Sequence, residues 1–313
     1  GYNSKSFTPT SGVPQGSNLG PFIFLVFIND LPNLISARKL IYADDMKIFK
    51  KINNIHDCQI LQNDLNVIYD WCENNKLHLN ITKCKVVSYS RKNQSLRYTY
   101  TIANETLNRV TMVKDLGVTF DNMLTFAFHI NDMVNKAMKV AGYVIRVSAE
   151  FSSIATIKSL YTTLVRPKLE YGAIIWSPLY KKYENDIEHV QRRIIKYMCF
   201  RKDGYYPERG YPQAIMLENF DLVPLVVRRR RMAVTYLYKL LHNLTDCNLL
   251  HNSIKFYIPR PSSRNKITFQ LPRCRTNIRQ SSPIYTMCYH YNDISSHVDI
   301  FHTPLPIILN YIS

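Results

Sequence analysis

Asp44 and Asp45 are adjacent carboxylates inside the stretch Lys-Leu-Ile-Tyr-Ala-Asp-Asp-Met-Lys-Ile-Phe, residues 39–49. A hard cation such as Mg²⁺ takes carboxylate oxygens and needs only one or two of them when a substrate phosphate supplies the rest. A solvated Asp-Asp turn is the other reading of the same pair. Leu40, Ile41 and Tyr42 before it, and Met46, Ile48 and Phe49 after it, suit strands, while Asp44-Asp45 suits the turn between them. The expected carrier is a β-hairpin with charge at its tip. Upstream lies Ser-Gly-Val-Pro-Gln-Gly-Ser-Asn-Leu-Gly-Pro, residues 11–21. Gly12 and Gly16 allow positive φ and close approach of backbone to a ligand, Pro14 stiffens the segment, and Gln15 both donates and accepts hydrogen bonds. Ser17 suits a helix N-cap, and Pro21 the first turn of an apolar helix over residues 22–29.

Composition narrows the classes of function. The chain has 313 residues, 46% of them apolar, enough for a sizeable core and about two domains. Its net charge of +17 is uneven: residues 181–280 hold 20 basic and 8 acidic side chains, while residues 281–313 hold 2 acids and no Lys or Arg. Such a field favours polyanions, nucleic acid first and an anionic membrane second, with a merely solvated basic surface as the alternative. Seven scattered cysteines without a Cys-x-x-Cys pair argue against a disulfide framework. Cys274, Cys288, His290 and His297 fit none of the usual structural zinc spacings. The longest apolar run, residues 22–28, falls far short of the roughly 20 residues of a membrane span.

Asp44 lies 29 positions after Gln15. A Gly-x-Pro-Gln-Gly-Ser segment, an Ile-Asn-Asp-Leu-Pro helix end (residues 28–32) and a Tyr-Ala-Asp-Asp turn, in this order, closely resemble the reverse transcriptases of non-LTR retrotransposons, the Jockey-like group in particular. Further stretches carry the likeness on. Leu79-Asn80 with Lys83 resembles the family's Leu-Asn-x-x-Lys-Thr element, with Cys84 where Thr is usual. Val113-Lys114-Asp115-Leu116-Gly117-Val118 is similar to its Val-Lys-x-Leu-Gly-Val hairpin. Residues 164–172, ending Leu-Glu-Tyr-Gly, match another family segment, and residues 187–193 resemble its Leu-Glu-x-Val-Gln-Arg-Arg helix.

The resemblance implies an α+β fold: a partial palm, an antiparallel sheet with covering helices, over residues 1–122; a mostly helical thumb over 123–245; and a basic, irregular C-terminal region over 246–313. It implies RNA-directed DNA polymerisation, with Asp44 as the bridging ligand of two Mg²⁺ or Mn²⁺ ions and Asp45 as an auxiliary one. Lys83 would sit near the departing pyrophosphate, with a neutral surface lysine as the other reading. Gly12, Pro14, Gln15, Gly16 and Ser17 would touch template or nucleotide, and Leu116 and Gly117 would hold the primer 3′ end. Arg192, Arg193 and Lys196, with Arg201 and Lys202, are candidate phosphate contacts of the thumb. The implied partners are an RNA template, a DNA primer or target and deoxynucleoside triphosphates, without a membrane, in the cytoplasm and nucleus. The family also needs an aspartate on a strand upstream of the glycine segment. The chain begins after that point, so the expectation is a fragment inactive alone. A non-catalytic RNA- or DNA-binding remnant and a decayed transposon copy stay open as alternatives.

Periodicity places the remaining elements. Ile60, Leu61, Leu65, Ile68, Tyr69 and Trp71 recur at helical spacing, with Asp57, Asn63, Asp64, Asp70 and Glu73 expected on the solvent side. Strands are expected over 86–90, 98–103 and 110–120. A helix is expected with His129, Met133, Lys136 and Val140 on one face, and another over 154–165 ending before Pro167. Arg228 to Arg231 open a further helix, on which four consecutive arginines cannot share one groove. In residues 246–313, Arg260, Arg264, Lys266, Arg273, Arg275 and Arg279 interleave with Phe256, Tyr257, Phe269 and Tyr285, which suits either single-strand contact or packing on the thumb.

Overall fold

The computed structural model describes residues 12, 16–90, 96–151, 153–258 and 267–312, so Pro14, Gln15, Arg260, Arg264 and Lys266 lie outside the described residues. The chain divides into two compact units, Gly1–Val113 and Lys114–Ser313.

The helix Ile55–Asn74 organises the first unit. Asn54 and Asp57 cap its start reciprocally, the Asn54 side chain accepting the Asp57 N–H at 3.0 Å while the Asp57 carboxylate accepts the Asn54 N–H. One side of the helix buries Ile68, Trp71 and Cys72 against Ile28, Leu31, Ile35 and Ala37, with Met46 and Ile48 joining from the hairpin. Another side buries Cys58 with Tyr100, Ile102 and Leu107. There the Gln62 amide pairs with the Thr101 backbone in both directions, at 2.8 and 2.9 Å.

Asp64 departs from its expected solvent position. It is buried, accepts the Ser36 and Ala37 N–H groups at 2.9 and 2.8 Å, and accepts the Ser36 hydroxyl as well. Its carboxylate thereby ties the helix to the residues that lead into the strand Arg38–Tyr42. Asp64→Ala strands two backbone donors, each costing about 1–3 kcal/mol when buried and unpaired. The first unit should lose about 2–4 kcal/mol in chemical denaturation, and an unchanged midpoint would contradict this role.

The α+β class holds, but the antiparallel palm sheet expected from the sequence is split into separate two-stranded ribbons. One of them, Lys85–Val86 with Asn108–Arg109, is parallel. The strands expected over 86–90 and 98–103 shorten to Lys85–Val86 and Thr101–Ile102, and the run 110–120 folds back on itself as Met112–Asp115 and Val118–Asp121. The helix Gly20–Ile28 buries only Gly20 and Ile28, leaving Phe22, Leu25 and Val26 exposed. A helix apolar all round is ordinarily a core helix.

In the second unit the helix Ala127–Val147 buries Ile130, Met133, Ala137, Ala141 and Val144. Lys136 is exposed, paired with Asp132 at 2.6 Å, and so leaves the expected face, whereas His129 and Met133 are buried and Val140 packs against the core. The two alanines let the helix Lys181–Asp203 approach closely. Pro167 does not end its helix: Ile154–Leu160 continues through a π-helical turn, Tyr161–Val165, into Arg166–Glu170. The wider turn accommodates a residue that has no N–H to give. Buried Gln191 accepts the Tyr161 hydroxyl and donates to the Val223 carbonyl at 3.1 Å. A second core joins the helix Leu225–Leu241 to Phe269, to the helix Pro283–Asn292 and to Ile300 and Ile308. Residues 246–258 and 267–312 thus alternate loops with short helices around that core. Among the described residues no helix is long and apolar enough to cross a membrane.

Candidate functional site

Tyr42 pairs with Asp45 across the hairpin, Ile41 with Met46 and Lys39 with Ile48. The two-residue turn is therefore Ala43-Asp44, one position earlier than expected, and Asp45 already lies in the second strand, Asp45–Phe49. Ala43 has φ 51°, the positive value that the first central position of a primed hairpin turn requires. Strand alternation sends Ile41, Met46 and Ile48 inward, while Leu40, Tyr42, Asp45 and Phe49 occupy the outer face. Both aspartates are exposed at the tip.

Adjacent exposed carboxylates suit a hard divalent cation, which can take the rest of its oxygens from a phosphate and water. The only acid ahead of them in the chain is Asp30. Its carboxylate accepts the Trp71 indole N–H at 3.2 Å, a bond that holds the end of the apolar helix to the helix Ile55–Asn74. Among the described residues no group of three or more His, Cys, Asp or Glu side chains could hold a metal.

Gly12 and Gly16 take φ of 81° and 83°, and an added Cβ would meet nothing within 4 Å at either. Conformation, not space, calls for glycine there. The N-cap position of the apolar helix is held by Leu19, not Ser17, yet the Ser17 hydroxyl accepts the Gly20 N–H at 3.0 Å. Lys83 ends the short 3₁₀ turn Ile81–Lys83 with its side chain exposed.

Leu116 and Gly117 form the tip of the hairpin at residues 112–121, with φ of 43° and 87°, positive at both positions as a type I′ turn demands. A corner at Tyr171-Gly172 grips this tip. The Tyr171 hydroxyl donates to the Leu116 carbonyl at 2.8 Å, and a Cβ on Gly117 would lie 3.0 Å from the Tyr171 ring. Gly172 has φ 66°, and a Cβ there would lie 3.0 Å from a Val118 methyl. The Trp176 indole N–H fixes the corner by donating to the Tyr171 carbonyl at 2.7 Å. Beyond the hairpin Asp121 accepts the N–H groups of Met123, Thr125 and Phe126. Burial pushes its carboxyl up, but the backbone bonds from Thr125 and Phe126 outweigh this and hold it below the ordinary range. In the sequence, Tyr171 and Gly172 marked only a family resemblance, and no spacing signal pointed to the hairpin they hold.

The helix Lys181–Asp203 carries His189, Arg192, Arg193 and Lys196 at i, i+3, i+4 and i+7, hence on one face. His189, Arg192 and Arg193 are exposed, and Arg192 also donates to Gln213 at 2.8 Å. Arg201 is engaged elsewhere: its guanidinium donates to the carbonyls of Ser148, Ala149 and Phe151, closing the end of the helix Ala127–Val147. Of the arginine run, Arg228 forms a bidentate pair with Glu170, and Arg231 donates to the Ile312 carbonyl at 3.3 and 3.2 Å.

Two histidines of this unit are held below their ordinary pKa. His129 is buried and accepts the Thr119 N–H on Nδ1 at 3.3 Å, and burial lowers its pKa. Burial, aided by the charge of Arg230, lowers His290 to about 4. On unfolding both regain the ordinary value of about 6.5, so below it the unfolded chain binds more protons. Stability is complete above pH ~6.5 and falls as the pH drops toward 4, by on the order of 2–3 kcal/mol for His290. Unfolding free energies across that window should show this slope, and His290→Gln should flatten it. A pH-independent difference between the two proteins would contradict it.

Residues 1–120 match the sequence model of the reverse transcriptase (RNA-dependent DNA polymerase) family. The matched segment contains the glycine loop, the carboxylate hairpin, Lys83 and the Leu116-Gly117 tip. Similarity to curated relatives extends further along the chain. The RNA-directed DNA polymerase from mobile element jockey of Drosophila melanogaster is 27% identical over 210 residues, which is 63% of this chain and 22% of that protein. The probable RNA-directed DNA polymerase from transposon BS of the same organism is 28% identical over 199 residues, 59% of this chain and 22% of its own length. The retrovirus-related Pol polyprotein from type-1 retrotransposable element R1 of Nasonia vitripennis is 26% identical over 206 residues, 61% of this chain and 60% of its own. The chain thus spans about a fifth of the length of the jockey and BS proteins. No solved structure matches it. Reverse transcriptases as a family use divalent metal ions, a nucleic-acid template and nucleotide substrates.

Proposed function

We propose that this chain is the C-terminal part of an RNA-directed DNA polymerase of a Jockey-like non-LTR retrotransposon, extending a DNA primer on an RNA template. The observation that carries the reading is the pair Asp44 and Asp45, exposed at a hairpin tip within the segment that matches the reverse transcriptase family. Residues 1–122 act as palm, 123–245 as thumb and 246–313 as a basic region behind it, at work in the cytoplasm and nucleus.

Asp44 and Asp45 would hold Mg²⁺ or Mn²⁺. Bound in a pair, such ions neutralise charge on the attacking 3′-oxygen and the leaving pyrophosphate. Gly12, Pro14, Gln15, Gly16 and Ser17 would contact template and incoming nucleotide. Lys83 offsets charge on the departing pyrophosphate. The backbone at Leu116-Gly117 positions the primer end, and Arg192, Arg193 and Lys196 meet duplex phosphates. Asp30 is bound to Trp71, so a further carboxylate for the ions comes from a segment of the polymerase outside these residues. The exposed apolar side chains of the helix Gly20–Ile28 and of the outer hairpin face support the same arrangement, since a covering segment would bury them.

The nucleic-acid part is tested by titrating an RNA–DNA duplex at several salt concentrations. Arg193→Ala with Lys196→Ala should lower the log–log salt slope by about 2, roughly one per lost phosphate contact. An unchanged slope would remove this face from the interface.

A further inference from the structure

The helix Lys181–Asp203 ends in a left-handed cap: Gly204 has φ 82°, and its N–H donates to the Phe200 carbonyl at 2.9 Å. The cap turns the chain back on the helix and lays Tyr206 over Phe200, ring centroids 4.6 Å apart and planes inclined by 9°. Stacking does not bury the pair. Phe200 stays 36% exposed and Tyr206 56%, and Tyr205 beside them is 69% exposed. Aromatic rings gathered at one place and left in water mark an interaction surface.

The charge around the rings selects the partner. Phe200 follows Arg193 at i+7 and Lys196 at i+4, so it extends their face of the helix by one turn. Arg193 is exposed, as is Arg209 in the loop that follows, and among the described residues no hydrogen bond or ion pair occupies either guanidinium. The segment from Lys202 to Arg209 is itself balanced, with Asp203 and Glu208 as its acids. Cations therefore line the approach along the helix, and open ring faces stand at its end. An acidic protein segment would match the cations and leave the rings unused. A duplex keeps its bases stacked inside. An unpaired nucleotide matches both features, its phosphate the cations and its base the rings.

We propose that the Phe200–Tyr206 pair stacks a base of unpaired RNA continuing from a duplex that lies along Arg193 and Lys196. The inference rests on the phosphate-binding helix face of the proposed function and adds a single-strand site to it. In a primed template the primer is paired, so the strand that runs on unpaired is RNA.

Three RNA–DNA duplexes are titrated into the purified chain by fluorescence anisotropy: one blunt, one whose RNA strand runs on unpaired at both ends, and one with the same extensions made abasic. The two extended duplexes carry equal numbers of phosphates, so the difference between them reads the bases alone. The duplex with bases should bind on the order of tenfold tighter than the abasic one. Phe200→Ala with Tyr206→Ala should cut this gain to about twofold or less and leave affinity for the blunt duplex unchanged. Tyr206→Phe, which keeps the ring, should retain the gain. Tyr206→Glu, which sets a carboxylate over Phe200 from an exposed position, should also abolish it and decides the matter if the double variant fails to fold. A blunt duplex that binds with no gain from the bases, or a gain that survives in a folded double variant, would overturn this inference alone. Failure of all three duplexes to bind would overturn the phosphate-binding face and this inference with it. Self-association of the chain that Tyr206→Glu dissolves, without a gain from the bases, would seat a second copy on the rings and overturn the proposal.

Discussion

Asp44→Asn lowers deoxynucleotide incorporation by the assembled polymerase at least about a thousandfold, while folding and RNA affinity stay as they were. A carboxylate that holds a divalent ion underlies several kcal/mol of charge stabilisation in phosphoryl transfer, and each 1.36 kcal/mol is a factor of ten in rate. The amide keeps the shape but gives up the charge. Asp44 sits in an exposed turn, so its replacement disturbs no packing, and surface changes of this kind stay within about 0.5 kcal/mol. On the proposed reading Asp45, in the strand and facing outward beside Tyr42, is the auxiliary ligand, so Asp45→Asn should cost less. Single-turnover extension of a primed RNA template, with circular dichroism and RNA titration on the same samples, reads all three quantities. A protein that only binds nucleic acid would show no difference in any of them.

Gly172→Val is the second large effect. The residue has φ 66°, a region that a β-branched side chain enters only with strain, and its first added carbon would lie 3.0 Å from the Val118 methyl. Strain and overpacking together amount to about 3 kcal/mol. The damage lands on the contact that aims the Leu116-Gly117 tip, so primer extension should fall along with the thermal midpoint. Tyr171→Phe separates the two consequences. Tyr171 is an exposed ring whose hydroxyl holds the Leu116 carbonyl at 2.8 Å. Losing that bond costs about 1 kcal/mol or less in stability but frees the tip, so KM for primer should rise while the midpoint barely moves. A wild-type midpoint in Gly172→Val would contradict the corner as described.

What the sequence disclosed follows from where local pattern and tertiary packing agree. Alternation on either side of Asp44-Asp45 made the hairpin legible, and the helix Ile55–Asn74 followed from its apolar period, while its Asn54-Asp57 cap emerged only in the structure. The turn was misplaced by one residue because Asp is the better turn former. Inward packing of Met46 and Ile48 sets the register instead and forces Ala43 to a positive φ. Asp64 was hidden by its own residue type: it occupies the buried period of its helix, and the backbone donors that admit a carboxylate there lie 27 and 28 residues away. Pro167 signalled a helix end, and only the π-turn before it shows how the helix runs on. In the arginine run the sequence indicated that four guanidiniums must part ways. The separate fates of Arg228 and Arg231, with Glu170 and at the Ile312 carbonyl, depend on elements far apart in the chain.

The most direct test of the account is incorporation of labelled deoxynucleotide on a primed RNA template with Mg²⁺. The purified chain would be assayed alone and together with the palm and fingers segment of the same open reading frame, each with and without Asp44→Asn. The account predicts no incorporation by the chain alone, incorporation once the segment with the further carboxylate is supplied, and its loss with Asp44→Asn. Incorporation by the isolated chain that Asp44→Asn leaves intact would contradict the assignment of the Asp44-Asp45 tip as the polymerase metal site.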